Sequence, residues 1–278
     1  MDALFGNNVN NSETGFFRSN SYVMNFAFLI LVLFVFVVLL RLGIQLINWF
    51  LSPPRSPHLI DGMVDAKQML IFEQDPKIDN SKTILRSNNE NKGVEFTWSC
   101  WIYIDDNNYN ASKFRHIFHK GEEKVRVTEN GGDTGFNDPH NAPGVYITPV
   151  KNNLLVVMNT FHNVTEEVEV EELPLNKWVN IIIRVENRTM DVYINGTIVR
   201  RHMLTGLPKQ NYGNVYTSMN GGFSGNISNL WYYDYGLGAR EIENLVKNGP
   251  NTTLAATGSS ILNRNTQYLS FKWFLGNN

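Results

Sequence analysis

Three carboxylates recur at every second position in one short stretch, Glu167, Glu169 and Glu171. In an extended chain that spacing puts all three on one face. Carboxylates paired on one face are what glycoside hydrolysis uses, one to protonate the leaving oxygen and one to attack or to activate water. Val168 and Val170 fill the intervening positions, so the stretch reads more simply as a half-buried strand with a solvated acidic face. No hydrolase is expected from it. His116 and His119 stand three apart. That spacing converges on a helix, but FRHIFHKG reads as a strand, where the two rings point to opposite faces. A metal site on this pair is therefore not expected. The chain shows no Ser-His-Asp, Cys-His or phosphate-loop pattern, and no catalytic residue is assigned. The single cysteine, Cys100, alternates with Trp98 and Ile102 in FTWSCWIYI. It reads as a small buried apolar residue rather than a reactive thiol.

Oxygen donors and flat rings are concentrated in two loops. The run TENGGDTGFNDPHNAPG at 128–144 has neither a helix nor a strand period and is read as the longest irregular insertion, the kind of loop that carries function or moves. It supplies Asp133, Phe136, Asn137, Asp138 and His140, and the loop NYGNVY supplies Tyr212 and Tyr216. Rings beside amides suit sugar stacking and hydrogen bonding, and equally suit contact with a protein. These residues are the candidate glycan or protein contacts. Asp133 with Asp138, and Asp105-Asp106-Asn107, group oxygen donors of the kind a hard cation takes. The competing reading is turn-stabilising Asx side chains, and no metal ligand is assigned.

The elements that would position these groups are strands. In Trp178 to Glu186, Val179, Ile181, Ile183 and Val185 share one face. Met190 to Arg200 holds Asn195-Gly196, the pair that a type I′ hairpin turn favours. That turn sets Tyr193 opposite Ile198, Val192 opposite Val199 and Asp191 opposite Arg200, with Val192, Ile194 and Val199 on the apolar face. FTWSCWIYI is a central strand with aromatic residues on both faces, so its second face is expected to be covered or used. Further strands are expected at 68–72, 83–86, 115–119, 145–148, 154–160, 164–172 and 268–275, the last beside 68–86, and a short helix at 239–247.

A Trp opening a strand, a polar turn, and a strand ending in Tyr-Ile-Asn-Gly resemble laminin G-like domains of the concanavalin A-like lectin/glucanase superfamily. FTWSCWIYI, HIFHKG and GGFSGNISNLWYYDYGLGAREIENLV agree, so the resemblance covers roughly 68–249. It implies an all-β, antiparallel jelly-roll sandwich. Glycosidases of that superfamily carry a Glu-x-Asp-x-Glu type of motif, and Glu167–Glu171 lacks its central Asp. Many laminin G-like domains bind calcium through loop carboxylates and carbonyls, so the resemblance implies calcium as the cofactor and Asp133, Asp138 and Asp105-Asp106-Asn107 as its donors. Some members have Ile-Asp in the closing strand where this chain has Ile227-Ser228, a departure that weakens the implication. The wider run of IDG, ILRSNN, NAPGVY, PKQNYG and GGFSG is similar to membrane-anchored laminin G-like proteins of large DNA viruses, which implies a virion membrane or host endomembrane.

With 24 basic and 26 acidic side chains and no basic cluster, the chain has no electrostatic footprint for nucleic acid. From Met24 to Leu40 it carries no charge. A helix over 23–46 is long enough to cross a bilayer, and Asp2, Glu13 and Arg18 before it argue against a cleaved signal peptide. The expected organisation is a polar tail at 1–22, a single transmembrane helix at 23–46, a Pro-rich linker at 47–66 and the sandwich at 67–278. Arg41 and Arg55 after the span favour a cytoplasmic domain, as does the lone cysteine. Asn-x-Ser/Thr sequons at Asn10, Asn110, Asn163, Asn187, Asn195, Asn226 and Asn251 argue the opposite side.

Overall fold

The computed structural model describes residues 21–87, 89–90 and 93–255. The chain separates at Ser52 into a helical unit and a β-sheet unit. The helical unit is α1 (Ser21–Leu51), longer at both ends than the expected span. Among the described residues it is the one helix long and apolar enough to cross a membrane, and none of that span is buried.

The β unit contains β1 (His58–Asp65), β2 (Leu70–Phe72), β3 (Asn89–Glu90), β4 (Gly93–Asp106), β5 (Arg115–Gly121), β6 (Val125–Val127), β7 (Asp133–Asn137) and β8 (Asn141–Ile147). It continues through β9 (Leu154–Met158), β10 (Glu166–Val170), β11 (Trp178–Glu186), β12 (Thr189–Ile194), β13 (Thr197–Met203), β14 (Asn214–Thr217), β15 (Ser224–Tyr233) and α2 (Ala239–Asn248). One sheet runs β1-β15-β4-β11-β12-β13, with β3 pairing β4, and the other runs β10-β9-β8-β5-β14-β2. Every pairing between these strands is antiparallel. The two-sheet antiparallel sandwich is the architecture that the laminin G-like resemblance implies.

Alternation sets the core. Phe96, Trp98, Cys100 and Ile102 of β4 and Val179, Ile181, Ile183 and Val185 of β11 all enter the main apolar cluster between the sheets. Cys100 is fully buried, and desolvation pushes its thiol up to about 12, so it behaves as an apolar side chain. The second face of β4 is also covered. Thr97 Oγ1 donates to the Tyr235 carbonyl and accepts from the Leu237 amide, while Ile242 of α2 closes a cluster with Ile182, Tyr193, Tyr233 and Leu237.

Four expectations need correction. The 47–66 stretch is not linker throughout, because β1 pairs with β15 from His58 onward. Docking of the chain begins earlier still: the Asp234 amide donates to the Arg55 carbonyl, and Arg55 Nε meets both Asp234 oxygens at 3.0 Å. Residues 83–86 form no strand; the Gln74 side chain holds the start of this stretch, donating to the Lys82 carbonyl and accepting from the Ile84 amide. In the hairpin, Asn195 and Gly196 take the positive φ values of 50° and 80° that the turn requires, and Tyr193 faces Ile198. A bulge then moves the register by one, so that Val192 faces Arg200 and Asp191 faces Arg201, and Val199 lies exposed. The ion pair is accordingly Asp191 with Arg201, at 2.6 Å, rather than with Arg200. The 128–144 run is not irregular, for it holds β7 and the start of β8, with β6 and β7 forming a separate hairpin. The strand expected at 268–275 lies outside the described residues.

Candidate functional site

On the outer face of the second sheet the β6–β7 hairpin covers β8 and β9, while the outward side chains of β10 stay exposed. Phe136 of β7 is buried against Tyr146 of β8, ring centroids 5.0 Å apart, with Leu155 and Val157 of β9 completing the cluster. Arg126 of β6 lies over the other side of the Phe136 ring, 4.7 Å from its centroid. Asn137, fully buried, donates its amide to the Tyr146 hydroxyl, which itself donates to Asn141 Oδ1 at 2.7 Å. Burial raises the Tyr146 phenol far above its ordinary value, leaving it a neutral donor. Phe136 and Asn137 are thus packing residues and cannot reach a ligand without the hairpin lifting away.

His116 and His119 lie on this same outer face, contrary to the strand rule. A bulge lies between His116 and Phe118, and Ile117 and Phe118 both point into the core. The two rings on either side then turn the same way, with His116 Nε2 and His119 Nδ1 at 2.7 Å. The Met219 amide donates to His116 Nδ1, so His116 Nε2 carries the proton and donates to His119 Nδ1. His119 Nε2 in turn donates to the Glu122 carbonyl at 2.9 Å. Desolvation holds His119 down to about 4 and His116 well below the usual range. Every ring nitrogen of this relay is already engaged within the protein, so the pair offers no free metal ligand.

The remaining candidates separate. Asp133 Oδ2 pairs with Lys113 at 3.1 Å and its Oδ1 accepts from the Gly135 amide, while Asp138 pairs with Arg126 at 3.3 Å. Asp106 accepts from the Asn108 amide as an Asx turn. Among the described residues, no three His, Cys, Asp or Glu side chains gather as a metal site would require. A calcium ion would have to displace a lysine from one aspartate and an arginine from the other, so these residues do not fit it. His140 Nδ1 stands 3.0 Å from Glu122 Oε1 without hydrogen-bond alignment. Tyr216 is buried and stacked on His119. Glu167 and Glu169 are exposed, as a solvated face requires, and Glu169 accepts from Asn153.

Tyr212, among the named contacts, borders an opening. It is 80% exposed at the rim of a cleft of about 470 Å³ between the sheets, where the 74–86 and 210–214 segments part. Phe96, Trp98 and Tyr232 form its floor and Lys120 its wall. Sequence reading missed Lys120. Its signal was present: it falls two residues after Phe118 on the core-facing side of β5, where a charge is out of place. Glu166 was missed as well. It is buried at the start of β10, accepting from the Thr205 amide and hydroxyl and lying 2.9 Å from His202 Nε2. These bonds tie β10 to the segment after β13.

Among solved structures the chain is similar to the receptor-binding domain of botulinum neurotoxin mosaic serotype C/D, at 14% identity over 56% of this chain and 37% of that one, TM-score 0.42. It is also similar to the botulinum neurotoxin serotype G binding domain, at 13% identity over 66% and 46%, TM-score 0.43. A third is the binding domain of botulinum neurotoxin DC in complex with rat synaptotagmin II, at 16% identity over 56% and 36%, TM-score 0.40. The chain spans less than half the length of each. No curated protein matches it. A family model for laminin G domains of the concanavalin A-like lectin/glucanases superfamily matches residues 79–243, from the loop beside the cleft to within α2. That match covers more than half of the chain, with every strand of both sheets except β1 and β2, and the chain belongs to this superfamily.

Proposed function

We propose that the protein is a membrane-anchored, non-enzymatic binding or structural module, a single-pass anchor carrying a concanavalin A-like sandwich. The observation that carries this reading is α1: Met24–Leu40 is free of charge, and its large apolar side chains are exposed along its length. Apolar surface left in water is unfavourable by roughly 25 cal/mol per Å², and a bilayer removes that penalty. A signal sequence would pass the same length and composition test, but the residues before the helix lack the basic character of one. In this reading 23–46 lies in the membrane, and only Pro53 and Pro54 stand between the end of the helical unit and Arg55, which docks on Asp234. The membrane is that of a virion or a host endomembrane, a setting supported by the run of motifs from IDG to GGFSG. The absence of catalysis is supported by the scattered, individually paired carboxylates and by the histidines' internal relay.

A lectin role would need a sheet face or loop that accepts a sugar, and the hairpin packed over β8 and β9 argues against it there. Full-length protein in lipid nanodiscs is expected to give no calcium-dependent signal on a glycan array and no reducing-sugar release from β-glucan or chitin. Calcium-dependent binding lost on Asp133→Ala and Asp138→Ala would replace this reading with a lectin. Sugar release abolished by Glu169→Gln would replace it with a hydrolase.

A further inference from the structure

Lys120 is a buried cation without a counter-charge. Its residue exposure is 7%, and among the described residues its Nζ meets one acceptor, the Gly213 carbonyl at 2.6 Å, and pairs with no carboxylate. Desolvation alone brings its pKa down to about 8. Burying an ammonium this way is unfavourable unless something compensates.

The walls around it leave few groups free. Gln74 is engaged with the Phe72, Lys82 and Ile84 backbone, Asn214 with the Gln74 amide and Glu73, and Asn211 with the Lys120 carbonyl and the Gly213 amide. Those amides build the cleft rather than face its contents. Asp75 at the rim is turned to the Lys77 amide, and Arg86 is exposed. What remains is an aromatic floor of Phe96, Trp98 and Tyr232 beside the aliphatic Ile84, Leu85 and Ala142, the buried Lys120 ammonium, and the less buried Arg86, Gln210 and Tyr212. At about 470 Å³ the space falls in the range of small-molecule sites.

We propose that this cleft binds a small monocarboxylate with an aromatic or aliphatic body, the carboxylate on Lys120 Nζ and the body on Phe96, Trp98 and Tyr232. A carboxylate supplies the missing counter-charge through a charge-assisted hydrogen bond, and the apolar floor selects against a fully hydrated anion. The inference does not depend on the membrane reading.

The test is fluorine NMR of p-fluorophenylacetate and of p-fluorophenylacetamide with the full chain in nanodiscs. The acid should bind at least about tenfold more tightly than the amide, which has nearly the same shape but carries no charge and an NH2 in place of one carboxylate oxygen. Lys120→Met should abolish that preference and Lys120→Arg keep it. Should Lys120→Met fail to fold, the native protein still decides. Affinity for the acid should fall as pH rises above about 8, where Lys120 loses its proton, while affinity for the amide stays constant. Equal binding of acid and amide, no binding of either at millimolar concentration, or a preference indifferent to Lys120→Met or to pH would overturn the proposal.

Discussion

His116 and His119 are held as neutral rings, each passing one proton along the line from the Met219 amide to the Glu122 carbonyl. Protonating either ring would place a charge in a fully buried site and break an accepting contact. The direction of the pH effect follows. Both folded-state values lie below the ordinary 6.5, so the unfolded chain binds protons first as pH falls. Stability is fully present above about 6.5 and is lost toward 4, with His116 continuing the loss below that, at most about 1.4 kcal/mol per pH unit for each ring. Burial holds His58 down to about 4 and adds a loss of the same sign. Urea unfolding of the sandwich, followed by tryptophan fluorescence, should therefore show a midpoint that drops between pH 6.5 and 4.5. A flat midpoint would mean that the rings accept protons in place. None of this was legible from i, i+3 spacing, because the bulge between His116 and Phe118 inverts the rule and period-two reasoning carries no term for an inserted residue.

Among the elements, those with strict alternation were read correctly and those shaped by single side chains were not. The core faces of β4 and β11 and the Asn195-Gly196 turn follow from local chemistry alone. The slip from Arg200 to Arg201 opposite Asp191 follows from the bulge past Tyr193, which the pattern does not announce. The β6–β7 hairpin was hidden for a related reason: its Gly, Asn, Asp and Pro residues look like loop, and its value lies in one ring. Phe136 seals Tyr146, Leu155 and Val157 from water. Phe136→Ala should then destabilise the sandwich by about 3 kcal/mol, as loss of a buried aromatic ring does, and thermal unfolding of the variant checks it. An unchanged melting temperature would return the hairpin to the status of a surface loop available for recognition. The candidate site was legible only at its rim, through Tyr212, because the lysine that gives the cleft its chemistry sits in a run recognisable as an ordinary core strand.

At the scale of the whole molecule, two units of opposite character share one chain. One exposes a continuous apolar helix, and the other buries its apolar residues between two sheets and caps the outer faces with α2 and the β6–β7 hairpin. The stretch expected as spacer instead joins the sandwich from Arg55 onward, through the Asp234 ion pair and then β1. Gly62 of β1 shows how closely the chain closes there: a side chain at this residue would meet the Thr253 carbonyl at 2.7 Å, where the segment after α2 returns along the strand. In the proposed reading it is the helix that ties the protein to a membrane. Alkaline carbonate extraction of membranes from cells making the full chain tests this most directly, with the mass of the extracted species read in parallel. The account predicts that the intact 31.8 kDa chain, or a heavier form if its sequons are glycosylated, stays with the membrane pellet. Release of the protein into the supernatant, or recovery of a shorter species lacking α1, would contradict it.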